Sequence, residues 1–125
     1  MTAPFGRLLY LYVGSADFER DLAYYRDTLG ARVVWNANAF GAKVAAVELA
    51  PGPLLLIADH RPAPSAIPIF EVKDLERAAT RLRKSGWKPV GERFDVPDGP
   101  VYRFDDPSGN PLAILEVTRP DAMLR

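Results

Sequence analysis

Apolar residues recur at two spacings along the chain, and the switch between them lays out its elements. Between Asp17 and Gly30, Phe18, Leu22, Tyr25 and Leu29 are three or four residues apart, the spacing of one helix face. Ser15 or Asp17 can cap the start of that helix, and Gly30 can take the left-handed position past its end. The same grammar returns between Asp74 and Gly86, with Leu75, Ala79 and Leu82 turned inward and Gly86 as the stop. Short strand patterns, Leu8–Val13 and Ile67–Val72, precede the two helices. Three more are predicted after each helix: 31–36, 42–49 and 53–58 in the first half, 87–94, 100–105 and 111–117 in the second.

The two halves keep a nearly constant offset. Phe18 and Leu75, Leu22 and Ala79, and Tyr25 and Leu82 are each 57 residues apart; the leading strands are offset by 59, and Pro53 and Pro111 by 58. Such a repeat predicts an α+β chain of two tandem βαβββ units, residues 7–58 and 67–117, joined by the proline-rich linker 59–66 within one domain spanning 1–125. Pro68 interrupts the Ile67–Val72 strand with a missing N–H and asks for an edge position.

Composition narrows the partners. A chain of 125 residues is long enough to bury roughly two thirds of its extended surface without staples. Sixteen basic residues balance sixteen acidic ones, so there is no net field to hold nucleic acid or an anionic membrane. The absence of cysteine excludes a disulfide framework, a thiolate metal site and a thiol nucleophile, and suits a cytoplasmic setting. The apolar run 8–13 is far below the ~18 residues of a membrane span. No P-loop, nucleotide-binding glycine motif, H-E-x-x-H or G-x-S-x-G is present.

Two stretches carry more than periodicity. Asp105-Asp106-Pro107-Ser108-Gly109-Asn110-Pro111 is built from turn-forming residues and predicts a hairpin. Together with Asp17 through Tyr24-Tyr25-Arg26-Asp27-Thr28-Leu29-Gly30, it resembles the DPdGN and D…FYxxxLG signatures of the vicinal oxygen chelate superfamily. That group includes glyoxalase I, extradiol dioxygenases, fosfomycin-resistance enzymes and bleomycin-resistance binding proteins, and the resemblance spans residues 7–117.

The resemblance implies half-barrel sheets with a concave groove, in which a divalent metal is held by side chains on the first and fourth strands of each unit. Carried over by position, those ligands fall on Leu8, Leu55, Ile67 and Ala113, all apolar. Aliphatic groups have no lone pairs for a hard cation, so no metal and no other cofactor is expected.

The remaining polar groups are few. His60, the only histidine, stands beside Asp59 in the linker and reads as solvated. Glu48 lies near a strand end; misplaced ligands would bring it into a metal site. Alternation from Ile67 puts Ile69 and Glu71 on the concave face, and on the first strand Leu8, Tyr10 and Tyr12. Trp35, Asn38, Phe40, Arg93, Tyr102 and Phe104 can reach the same space. The basic run Arg81-Leu82-Arg83-Lys84 reads as a solvated helix face.

The expectation is a homodimeric, metal-independent protein that binds a small aromatic or amphipathic molecule, as bleomycin-resistance proteins do. Its ligand-binding residues are expected to be Leu8, Tyr10, Tyr12, Trp35, Leu55, Ile67, Glu71, Tyr102 and Ala113, with no catalytic residue among them. The alternative is a lyase, isomerase or dioxygenase whose metal ligands lie elsewhere, or one working without metal through Glu71 or a tyrosine.

Overall fold

The computed structural model describes residues 3–39 and 41–120. Strand β1 (Leu8–Gly14) leads into helix α1 (Phe18–Ala23), followed by β2 (Arg32–Ala39), β3 (Ala42–Glu48) and β4 (Leu54–Ala58). The order then repeats as β5 (Ala66–Glu71), α2 (Leu75–Arg83), β6 (Phe94–Val96), β7 (Gly99–Asp105) and β8 (Pro111–Leu115). All eight strands form one mixed sheet in the order β2-β3-β4-β1-β5-β8-β7-β6. Both helices are capped as the sequence predicts: the side chain of Asp17 accepts from the N–H of Arg20, and that of Asp74 from the N–H of Arg77.

The periodicity did not show how the first helix ends. After Ala23 the backbone widens into a π-helical turn, Tyr24–Thr28, in which the N–H of Leu29 reaches the carbonyl of Tyr24 at 3.1 Å. Gly30 then reverses the chain at φ 77°.

The strand expected over 87–94 is reduced to Phe94–Val96. Pro89 has no N–H for a ladder and Gly91 turns at φ 73°, leaving a single bond, Val90 N–H to the carbonyl of Arg103, at 2.7 Å.

Pro68 is not at an edge: β5 sits at the centre of the sheet, antiparallel to β1 and parallel to β8. The β5–β8 ladder begins only at Ile69, so the proline lies one residue ahead of that pairing and its missing donor is tolerated. β1 is hydrogen-bonded on both sides within the chain, to β4 and β5, and the free edges are β2 and β6.

Each helix covers one half of the convex face. Phe18 and Leu22 pack with Ala31, Ala45, Val47 and Ile57; Leu75, Ala78 and Ala79 pack with Val72, Tyr102 and Ile114. The Asp106–Asn110 turn joins β7 to β8: Asp106 Oδ1 accepts the N–H groups of Ser108 and Asn110, both at 2.9 Å, and Gly109 turns at φ 88°. These bonds, first the side chain of Asn110, hold the Asp106 carboxyl below the usual carboxylate range. This stretch is a hairpin brace that sets the β7–β8 register, with Asp105 opposite Pro111.

Candidate functional site: the concave face of the sheet

Strand register defines the surface opposite the helices. One cross-strand row runs Trp35, Ala46, Leu56, Tyr12 and Ile67, from β2 to β5. The neighbouring row runs Leu54, Tyr10, Ile69, Ala113 and Arg103, from β4 to β7. Both are apolar apart from the two phenols and the guanidinium.

The two halves of this face differ. In the β5–β8 half, Ile67, Ile69, Val101, Ala113 and Leu115 form a buried cluster, and Leu9, Tyr10, Tyr12, Val96 and Val117 pack over it. Ala113, at 3 % exposure, is therefore floor beneath other side chains rather than an open wall. In the β2–β4 half, Trp35, Ala37, Val44 and Leu54 remain half-buried and no helix covers them from this side.

The two tyrosines present their polar ends differently. The hydroxyl of Tyr10 donates to Asp98, a residue of the β6–β7 turn that sequence reasoning passed over because Asp-Gly reads there simply as a turn. Burial first, then the bond and negative charge of Asp98, push the Tyr10 phenol well above the ordinary phenol range. The hydroxyl of Tyr12 lies 2.8 Å from Nε2 of His60, and the rings meet edge to face. Burial raises the Tyr12 phenol too; Arg61 opposes that shift and Asp59 adds to it. His60, expected to be a solvated linker residue, is exposed but drawn onto the groove by this bond.

Several expected lining residues stand elsewhere. The register slips between Leu8 and Tyr10, so Leu8 pairs with Phe70 of the helix face while Leu9 packs into the concave cluster. A bulge of this kind exchanges the faces of the residues before it. Leu55 packs with the α1 core, and its neighbour Leu56 takes the concave position. Tyr102 is buried beneath α2 with its hydroxyl on Glu76 at 3.0 Å. Phe104 belongs to the same cluster, Arg93 pairs with Glu76 at 2.7 Å, and Asn38 pairs in register with Lys43, which reaches over Phe18 on the α1 side. Phe40 lies outside the described residues. Tyr10, Tyr12, Trp35, Ile67 and Ala113 do share the concave face. Glu71 is in register with Leu115, and its carboxylate accepts from Nε of Arg7 at 3.2 Å.

These residues do not suit a divalent cation. The concave positions of the first and fourth strands are Tyr10, Tyr12, Ile67, Ile69 and Glu71, then Leu54, Leu56, Ala113 and Leu115, so the donors amount to two phenols and one carboxylate, and that carboxylate is paired with Arg7. Glu48 accepts from Nε of Arg32 at 3.1 Å at the β2–β3 margin, and among the described residues no three His, Cys, Asp or Glu side chains converge. A separate cleft of about 500 Å³ opens between the N-terminal segment and α2. Its charged groups, Asp74, Arg77 and Arg81 among them, are of mixed sign and it has no aromatic row, so the concave face is the better candidate.

Two βαβββ units whose strands form one curled sheet with both helices on its outer side make up the glyoxalase-type α+β fold. The chain belongs to the Glyoxalase/Bleomycin resistance protein/Dioxygenase superfamily, whose family model matches residues 7–114. Among solved structures it is similar to methylmalonyl-CoA epimerase from Mycobacterium tuberculosis, with a TM-score of 0.81 at 18 % identity, covering 98 % of this chain and 95 % of that one. A methylmalonyl-CoA epimerase in complex with methylmalonyl-CoA and NH4+ matches with a TM-score of 0.74 at 14 % identity, over 92 % of this chain and 96 % of that one. The hypothetical protein BH1468 from Bacillus halodurans C-125 matches with a TM-score of 0.75 at 12 % identity, over 88 % and 93 %. No curated protein matches the sequence. Likeness at such identities is a likeness of fold. No helix among the described residues is long and apolar enough to cross a membrane.

Proposed function

We propose that this chain binds a small, flat, apolar or amphipathic molecule on the open half of its concave face, without a metal ion and without changing it, in the manner of a bleomycin-resistance-type binding protein. The observation that carries this reading is the half-buried set Trp35, Ala37, Val44 and Leu54, which lies over buried Ala46 and Leu56 with Tyr12 at the end of their row: apolar surface that no helix covers, with a phenol hydroxyl to orient a polar group. Burying about 300 Å² of ligand surface there contributes several kcal/mol at ~25 cal/mol per Å², less the cost of immobilising the ligand, which makes micromolar affinity reasonable.

All eight strands of the sheet come from one chain, so one ligand per chain is expected even if the chains pair as a homodimer. The absence of cysteine suits a cytoplasmic protein. A thermal-shift screen with planar aromatics tests the reading: binding raises the melting temperature by mass action, and the ligand is recovered unchanged. No stabilisation by any planar aromatic at millimolar concentration would overturn it.

A second reading is an enzyme moving a proton with its own side chains. It is favoured by the Tyr12–His60 contact and by the fold shared with proteins named methylmalonyl-CoA epimerases. Recovery of a product that heat-killed protein does not form would select it.

A further inference from the structure

Resting on the binding reading above, we propose that the rim formed by Tyr12, His60 and Arg61 recognises a carboxylate, so that the preferred ligand is an aromatic acid rather than a neutral or cationic aromatic.

Three observations converge at this rim. Arg61 is half-buried, and its Nε–H is out of solvent with no acceptor among the described residues. A buried guanidinium N–H without a partner is costly, and a planar carboxylate accepting from Nε and a terminal nitrogen together would satisfy it. The nearest acid in sequence is already engaged: Asp59 Oδ1 accepts the N–H of Lys43 at 2.9 Å, and Arg61 makes no ion pair among the described residues. The charge of Arg61 is also felt at the Tyr12 phenol, where it opposes the upward shift produced by burial, so guanidinium and hydroxyl are electrostatic neighbours.

The remaining groups fit an anion. The Tyr12 hydroxyl and the His60 ring, 2.8 Å apart, each have a hydrogen to offer to a carboxylate oxygen once their mutual bond is rearranged. On the same face as Tyr12, half-buried Leu54, Val44, Ala37 and Trp35 lie over buried Leu56 and Ala46, so a flat body placed against them brings a terminal carboxylate to the rim. The chain around Arg61 is anchored there, because Gly14 allows a close approach that a side chain would block: a Cβ at Gly14 would stand 1.9 Å from the Pro62 carbonyl oxygen and 2.9 Å from that of Arg61. The backbone at Arg61 and Pro62 is thus packed against the end of β1, two residues beyond Tyr12, rather than on a free loop.

The test compares 2-naphthoate with its uncharged isostere 2-naphthamide by isothermal titration calorimetry on the parent protein and on Arg61→Gln and Arg61→Lys. The acid is expected to bind the parent roughly tenfold or more tighter than the amide, the scale of a charge-assisted pair over a neutral one. In Arg61→Gln the acid should lose its preference over the amide measured on the same variant; Arg61→Lys should keep part of the preference, since charge remains without the fork. Equal binding of acid and amide to the parent, or an acid preference that survives Arg61→Gln, overturns the carboxylate inference and leaves the groove reading standing. If neither compound binds, the groove reading falls and the inference with it. Coincident melting curves of the three proteins without ligand show that the comparison is between folded states.

Discussion

Tyr12 and His60, separated by 48 residues in sequence, meet at 2.8 Å between the phenol oxygen and Nε2, at the point where the Pro-rich connection crosses the end of β1. The pair joins one of the two aromatics of the concave row to the only histidine of the chain. Tyr12→Ala removes ring contact from the floor and is expected to weaken binding of a planar aromatic about tenfold. Arg81→Ala, on the exposed side of α2, should leave affinity unchanged. Calorimetric titration of both variants checks this, and parent-like affinity in Tyr12→Ala would remove the tyrosine from the site.

The two tryptophans report on opposite faces. Trp35 is in register with Ala46 on the concave side, whereas Trp87 packs edge to face on Tyr102 beneath α2. A bound aromatic should therefore quench only the Trp35 part of the emission. In Trp35→Phe the quenching should vanish although calorimetry still detects binding; in Trp87→Phe it should persist as a larger fraction of the signal. Quenching retained in Trp35→Phe would move the ligand to the helix side.

Aliphatic groups fill the positions at which the superfamily resemblance implies metal ligands. Protein purified without a metal-affinity tag should carry well under one equivalent of Zn, Ni, Mn or Fe by mass spectrometry, and a chelator should leave its melting temperature unchanged. Near-stoichiometric metal would shift attention to Glu48 and to catalysis.

Tyr10 ties stability to high pH. Its folded-state phenol is raised, so the folded chain holds a proton that the unfolded chain releases near the ordinary phenol value of about 10. Stability from this group is complete below about pH 10 and is lost as pH rises above it, because unfolding then releases a proton. Denaturant midpoints of the parent should decline above that pH, with Tyr10→Phe declining less steeply. Equal slopes would show that the Tyr10 hydroxyl is not held by Asp98.

Much of the architecture is legible in the chain because it rests on local rules. The recurrence of Phe18, Leu22 and Tyr25 in Leu75, Ala79 and Leu82 needs only helical periodicity. The Asp17 and Asp74 caps need only a side-chain oxygen beside free N–H groups, and the Asp106–Asn110 brace only turn chemistry. The misread segments are those where neighbours decide. Pro68 forbids one hydrogen bond, and whether that places it at an edge depends on where β8 begins to pair. The 87–94 segment has a strand-like pattern, but Pro89 and Gly91 keep all but Phe94 of it out of the ladder.

The candidate site divides the same way. That the groove floor would be apolar, with Tyr10 and Tyr12 over it, follows from residue identity and the two-residue period of β1, both readable in one dimension. Which leucines face it does not follow, since the slip between Leu8 and Tyr10 depends on pairing with β5, and a one-residue shift exchanges the two faces. The contacts of Tyr10 with Asp98 and of Tyr12 with His60 span 88 and 48 residues and exist only because the sheet curls. Sequence alone therefore determined the repeat, the helices and the chemical character of the hollow, each set by neighbours along the chain. Tertiary structure alone decided which half of the hollow is filled and which polar groups reach it, because those depend on register and curvature, to which distant strands contribute.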